Sequence, residues 1–282
     1  MSKRLDNKVA LITGAASGIG LGTVELFIAE GAYVVAADVQ DEKGRMLEQR
    51  FGDRLAYAHC DVTSEADIAA AVALAQSRFG GLDILFNNAG ISDVMSTIAD
   101  IDVDKWDWIF ALLVRGPALG LKHAVPAMRE RGGGAIINTA SIAGMQAGWG
   151  PIAYSSAKAA VLHMSKVAAA QLARDNIRVN AICPGLIATS IFGATVGLPR
   201  EVADQMAAHV QEVGKTFQPV AKSGVPGDIA QAALYLAAES GAFVSGTSIV
   251  VDGGITVGSR HSWDPNAPSP FAAMFAGAAA QG

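Results

Sequence analysis

Tyr154 and Lys158 stand four residues apart in AYSSAKAAV, a stretch otherwise made of small and apolar residues. At helical spacing two such side chains lie one above the other on the same face and can touch. A phenol titrates at about 10 when free, and a neighbouring ammonium ion lowers that value, so the chemistry on offer is proton transfer. A Tyr and a Lys four apart also occur on ordinary solvated helices. The pair takes its meaning from what the rest of the chain places around it.

A second group of residues lies near the amino terminus. Gly14, Gly18 and Gly20 of TGAASGIG follow the apolar run VALIT and precede LGTVELFIAEG, where Leu21, Val24, Phe27 and Ile28 recur at helical spacing. Glycines at a strand-to-helix turn let the backbone approach a pyrophosphate, and the free N–H groups of the new helix face the anion. A bare turn without a ligand has the same spacing. Asp38 ends YVVAAD about 20 residues beyond the loop, where an acid accepts hydrogen bonds from an adenine ribose and repels a 2′-phosphate. No Arg or Lys lies in the glycine loop or directly after Asp38. NAD is the expected cofactor rather than NADP; a simple turn acid is the other reading of Asp38.

These residues need a scaffold. Short β-branched runs (VALIT, YVVAAD, LDILFNNAG, GAIINTAS, IRVNAICPG, SIVVDGG) alternate with longer segments of helical period. Strands buried on both faces need no polar side, so the alternation predicts an α/β fold, a parallel sheet covered by helices in one doubly wound domain over 1–258. With 282 residues, 51% of them hydrophobic and 17% charged, the chain can bury a large core and is not a disordered polyampholyte. No apolar run reaches the roughly 18 residues of a membrane span, and the amino-terminal stretch has no clear signal-peptide cleavage region. Cys60 and Cys183 are too isolated for a disulfide framework or a zinc site. The expectation is a cytoplasmic protein without a metal. A net charge of −5 gives no footprint for nucleic acid and leaves a small molecule as the expected ligand. Residues 188–227 break the strand-helix rhythm and are expected to form a substrate lid. Residues 259–282 form a Pro-, Ala- and Gly-rich extension with Trp263, Phe271 and Phe275, which caps the pocket, or a neighbouring subunit's, or is disordered.

Taken in order, TGAASGIG, Asp61-Val62 after the third strand, NNAG, the serine of NTAS, YSSAK and PGLIAT make the chain resemble the short-chain dehydrogenase/reductase family, from about Asn7 to Gly258. The resemblance implies a Rossmann-type fold with a seven-stranded parallel sheet, a nicotinamide cofactor and a homotetramer. It implies that Gly14, Ser17, Gly18, Ile19 and Gly20 surround the pyrophosphate and that Asp61 and Val62 frame the adenine. Asn88, Ala89 and Gly90 would back the adenosine ribose, with Ile187 and Thr189 at the nicotinamide carboxamide. Tyr154 would be the acid/base, Lys158 the cation that depresses its pKa and binds the nicotinamide ribose, and Ser141 the hydroxyl that steadies the substrate oxygen. Making a phenol a base near neutrality takes about 2–3 pKa units, or about 3–4 kcal/mol, to which the ammonium and a pyridinium ring would contribute.

One position departs from the family pattern. The helix before the serine usually carries an asparagine that anchors a water leading protons from the lysine to solvent; in WDWIFALLVRG, read from Trp106, that place falls to Leu113. Leucine neither donates nor accepts a hydrogen bond, so the relay is expected to use another group or a backbone carbonyl, or to be slower. Ser92, Val94, Met145, Gln146, Trp149, Ile191 and Phe192 flank the catalytic positions and include no Arg or Lys. They predict an uncharged or weakly polar secondary alcohol or ketone as substrate, cyclic compounds and dihydrodiols included, though the same residues also read as lid packing. Two further functions stay open: a catalytically weak NAD-binding sensor or scaffold, motivated by Leu113, and a reductase of acyl-carrier thioesters, opposed by Asp38.

Overall fold

Each strand is a short run of β-branched and small apolar residues that ends in turn formers. In the computed structural model, which describes residues 3–191, 193, 198, 200–269, 271, 272 and 274, these runs become β1 (Val9–Thr13), β2 (Tyr33–Asp38), β3 (Leu55–His59), β4 (Ile84–Asn87), β5 (Gly134–Thr139), β6 (Ile177–Pro184) and β7 (Ser248–Val251). They form one sheet in the order β3-β2-β1-β4-β5-β6-β7, with every neighbouring pair parallel. The expected doubly wound α/β fold with seven parallel strands is thus present. All residues of β1 and β4 are buried, which is why they read as unbroken apolar runs rather than as alternations.

Helices cover both faces. They are α1 (Gly18–Ala29), α2 (Asp41–Phe51), α3 (Glu65–Phe79), α4 (Val103–Phe110), α5 (Gly116–Glu130), α6 (Ile152–Leu172), α7 (Arg200–Gly214) and α8 (Pro226–Ala237). Successive residues of β1 point to opposite faces, and the core divides accordingly. Ala10 and Ile12 pack with Val24 and Phe27 of α1 and Ile229 and Leu234 of α8. Val9 and Leu11 pack with Ile68 and Val72 of α3, Leu121 and Met128 of α5 and Ala168 of α6.

The chain runs outward from β1 to β3 and returns on the other side of β1 as β4. At such a reversal the loops leaving the two strands part to opposite faces and leave a crevice at their carboxyl ends. The glycine loop follows β1 and NNAG overlaps the end of β4, so both border it.

Between α4 and α5 one turn, Ala111–Arg115, winds as a π-helix. Its middle residue, Leu113, packs with Ile109 of α4 and with Ala153 and Ala157 of α6. In the expected lid, Ile187 bridges Gly224 and closes the base of the segment, α7 spans its middle, and Pro226 already begins α8. Phe192 lies outside the described residues, as does Phe275. Beyond β7, Arg260 pairs with Asp264 at 2.8 Å and sits over the Trp263 ring at 5.9 Å. Among the described residues no helix is long and apolar enough to cross a membrane.

Candidate active site

Thr13 ends β1 and ties the two loops of the crevice together. Its hydroxyl oxygen accepts the N–H groups of Asn88 and Ala89, each at 3.0 Å, while Asn88 Nδ2 donates to the carbonyls of Thr13 at 3.0 Å and Gly14 at 3.3 Å. Gly14 has φ +63°, and a Cβ there would come within 2.8 Å of Ala89 Cα. A Cβ on Gly18 would meet Thr189 Cγ2 at 3.2 Å, and one on Gly20 would collide with the Gly14 carbonyl. The three glycines therefore keep a narrow backbone cradle open. Ser17 caps α1 without using its hydroxyl, which leaves the leading N–H groups of that helix to an anion. The cradle fits a dinucleotide pyrophosphate.

Asp38 is buried beside this loop. Its Oδ2 accepts Ala16 N–H at 2.9 Å, and its Oδ1 accepts both the backbone N–H of Gln40 at 3.0 Å and its Nε2 at 3.1 Å. Asp61 is exposed and accepts the Thr63 N–H and hydroxyl of its own loop at 2.8 Å each, and Val62 is buried against the position of Gly116.

Ser141 follows β5 and caps the short helical turn Ile142–Gly144, its Oγ accepting Ala143 N–H at 3.1 Å. Tyr154 and Lys158 come from the start of α6. Lys158 is 4% exposed; its Nζ donates to the Thr139 carbonyl at 2.6 Å and lies 5.6 Å from the centre of the Tyr154 ring. Burial pushes the Lys158 ammonium down to about 8. Burial also pushes the Tyr154 phenol up, against a downward pull from its hydrogen bond with Ser141. Burial thus moves both groups toward their neutral forms, yet an ammonium at about 8 is still mainly cationic near neutrality, and the phenol becomes a base only with more positive charge beside it. Cys183, at the end of β6, is buried near the same residues and its thiol is pushed up to about 11.

Leu113 is 1% exposed. A Cβ placed on Gly90 would lie 3.1 Å from Leu113 Cδ2 and 3.8 Å from Lys158 Nζ, so the leucine methyl and the ammonium border the same point. Here the ammonium has hydrocarbon nearby in place of a hydrogen-bonding side chain.

Of the residues expected to meet substrate, Val94, Met145 and Trp149 are exposed, while Ser92 and Ile191 are partly buried. Trp149 Nε1 donates to Gln146 Oε1 at 3.3 Å, and both line an open cavity of about 410 Å³ whose other wall includes Ile255, Thr256 and Ser259. Its nearer wall is the loop directly before Tyr154. Sequence reasoning missed Thr13, Gln40, the Thr139 carbonyl and Gly144. Only Gln40 gave a signal, a polar residue two places after the acid.

Residues 14–256 match a family described as enoyl-(acyl carrier protein) reductase. The chain is 41% identical to momilactone A synthase of Oryza sativa subsp. japonica, covering 91% of this chain and 92% of that one. It is 39% identical to zerumbone synthase of Zingiber zerumbet, over 90% and 96% of the two chains, and 40% identical to (+)-borneol dehydrogenase 2 of Salvia officinalis, over 90% of each. A parallel sheet with a glycine cradle at its reversal point is the doubly wound arrangement that binds nucleotides, and the relatives place the chain among oxidoreductases. The chain belongs to the short-chain dehydrogenase/reductase family.

Proposed function

We propose that the protein is an NAD-dependent dehydrogenase that interconverts an uncharged cyclic secondary alcohol and its ketone. The observation that carries this reading is the meeting of Ser141, Tyr154 and a buried Lys158 next to a glycine cradle flanked by Asp38. Bound NAD would supply the hydride acceptor. The pyrophosphate would rest on the cradle and the leading N–H groups of α1, and the adenosine ribose on Asp38, whose charge disfavours a 2′-phosphate.

Ser141 Oγ already accepts a backbone N–H, and its own proton, shared with Tyr154 in the free protein, would turn to the substrate oxygen when substrate is bound. Tyr154 takes the hydroxyl proton. Lys158, when cationic, lowers the phenol's pKa and is held in place by the Thr139 carbonyl. Substrate uncharged in character is supported by Val94, Met145, Trp149 and Ile191, and a cyclic one by relatives named for borneol and zerumbone.

Incubating the protein with NAD or NADP and a panel of cyclic secondary alcohols, ketones and cis-dihydrodiols, while following the absorbance of reduced nicotinamide, tests this reading. Turnover with NAD is expected, and Tyr154→Phe should lose about 10²- to 10⁴-fold in rate. A Tyr154→Phe variant as fast as wild type would overturn the assignment of the base. Reduction of acyl-carrier thioesters with NADPH, in place of alcohol turnover, would instead favour the activity in the matching family's description.

A further inference from the structure

Gln40 is the cap residue of α2, yet its side chain makes no hydrogen bond to that helix. It turns back toward the crevice, where Nε2 lies 3.1 Å from Asp38 Oδ1 and 3.5 Å from Ser17 Oγ. Ser17, the cap of α1, also leaves its own helix without a side-chain cap. The caps of two helices thus meet beside Asp38 rather than serve the helices they begin.

An ionised carboxylate offers about four lone-pair positions. At Asp38 one is taken by Ala16 N–H and two by Gln40, through its backbone N–H and its Nε2. The two backbone donors belong to the glycine loop and to the start of α2, and neither can leave without moving those elements. A ribose diol brings two hydroxyl donors to a carboxylate with one position left. Among the three donors already in place, the Gln40 amide alone sits on a side chain that can swing away.

We infer that Gln40 is a displaceable placeholder. Its amide holds the Asp38 carboxylate in the free protein and yields to a hydroxyl of the adenosine ribose when NAD docks, so that Gln40 sets cofactor affinity as a competitor and not as a contact. This rests on Asp38 receiving that ribose, the cofactor reading given above.

Calorimetric titration of the full chain tests it, with NAD and with an NAD analogue whose adenosine ribose is 2′,3′-dideoxy. Gln40→Ala and the more space-filling Gln40→Leu are both expected to bind NAD about two- to tenfold more tightly than wild type, the net worth of one hydrogen bond. The gain should vanish with the dideoxy analogue. Variants that bind NAD as wild type does, or more weakly, would overturn the inference, as would a gain that persists with the analogue. Wild-type protein that binds NADP but not NAD would instead defeat the underlying cofactor reading, a separate and distinguishable result.

Discussion

Leu113 concentrates the chemistry of the site at one side chain. Lys158 carries three N–H donors, the Thr139 carbonyl takes one of them, and the Leu113 methyl and the ammonium both border the point beside Gly90. Burial brings Lys158 down to about 8, and a hydrocarbon side chain at this point offers the cation no hydrogen bond. Placing an amide there restores an acceptor. Leu113→Asn is therefore expected to raise the Lys158 pKa and to move the alkaline limb of kcat/KM to higher pH, because the cation survives further into the alkaline range. Putting a polar group into this apolar slot should cost about 1–3 kcal/mol of stability in the same variant. A pH-rate profile and a urea titration check the two effects separately; an unmoved alkaline limb would show that Leu113 does not tune the lysine.

At the scale of elements, the site depends on how closely the turn after β5 packs against α6. A Cβ on Gly144 would lie 2.6 Å from the carbonyl carbon of Lys158 and 2.7 Å from Ala159 N. Both are backbone atoms, so no rotamer change relieves the contact. Gly144→Ala must push Ser141 and α6 apart. Overpacking of this kind costs about 1–3 kcal/mol, and a displacement of about 1 Å between catalytic groups costs about 10²-fold in rate. The expected result is a folded protein with a thermal midpoint lowered by a few degrees and a much larger fractional loss of kcat. Equal activity in Gly144→Ala and wild type would mean that the turn is not a fixed support. The strands, the glycine loop and the Tyr-Lys pair were legible in the sequence because each rests on a local pattern: continuous apolar runs, glycine at tight turns, helical spacing. The π-helical turn was not, since its one extra residue scarcely changes the apolar period. Gly144 was equally hidden, for its partner lies on a helix that only the tertiary fold brings near.

At the scale of the whole molecule, contacts joining remote backbone groups to side chains were the least legible: Thr13 to the NNAG loop and the Thr139 carbonyl to Lys158. Any residue type offers a carbonyl or an N–H, so sequence carries no mark of such a bond. One of these contacts has a consequence for global stability. Lys158 titrates at about 8 in the folded protein against an unperturbed 10.5, because burial disfavours its charge. Between those values the unfolded chain binds more protons than the folded one, so this group adds stability as pH rises and withdraws it as pH falls through about 8. The buried thiols Cys60 and Cys183, pushed up to about 12 and about 11, act in the opposite sense once pH passes their unfolded value of 9.0. Comparing wild type with Lys158→Met cancels most of their contribution and isolates the lysine. From about pH 7 to about pH 9.5, wild type is expected to gain about 2 kcal/mol relative to Lys158→Met in urea unfolding. A difference between the two proteins that stays constant over that range would mean that Lys158 keeps an ordinary pKa in the fold, and that solvent or another partner reaches its ammonium despite the Leu113 wall.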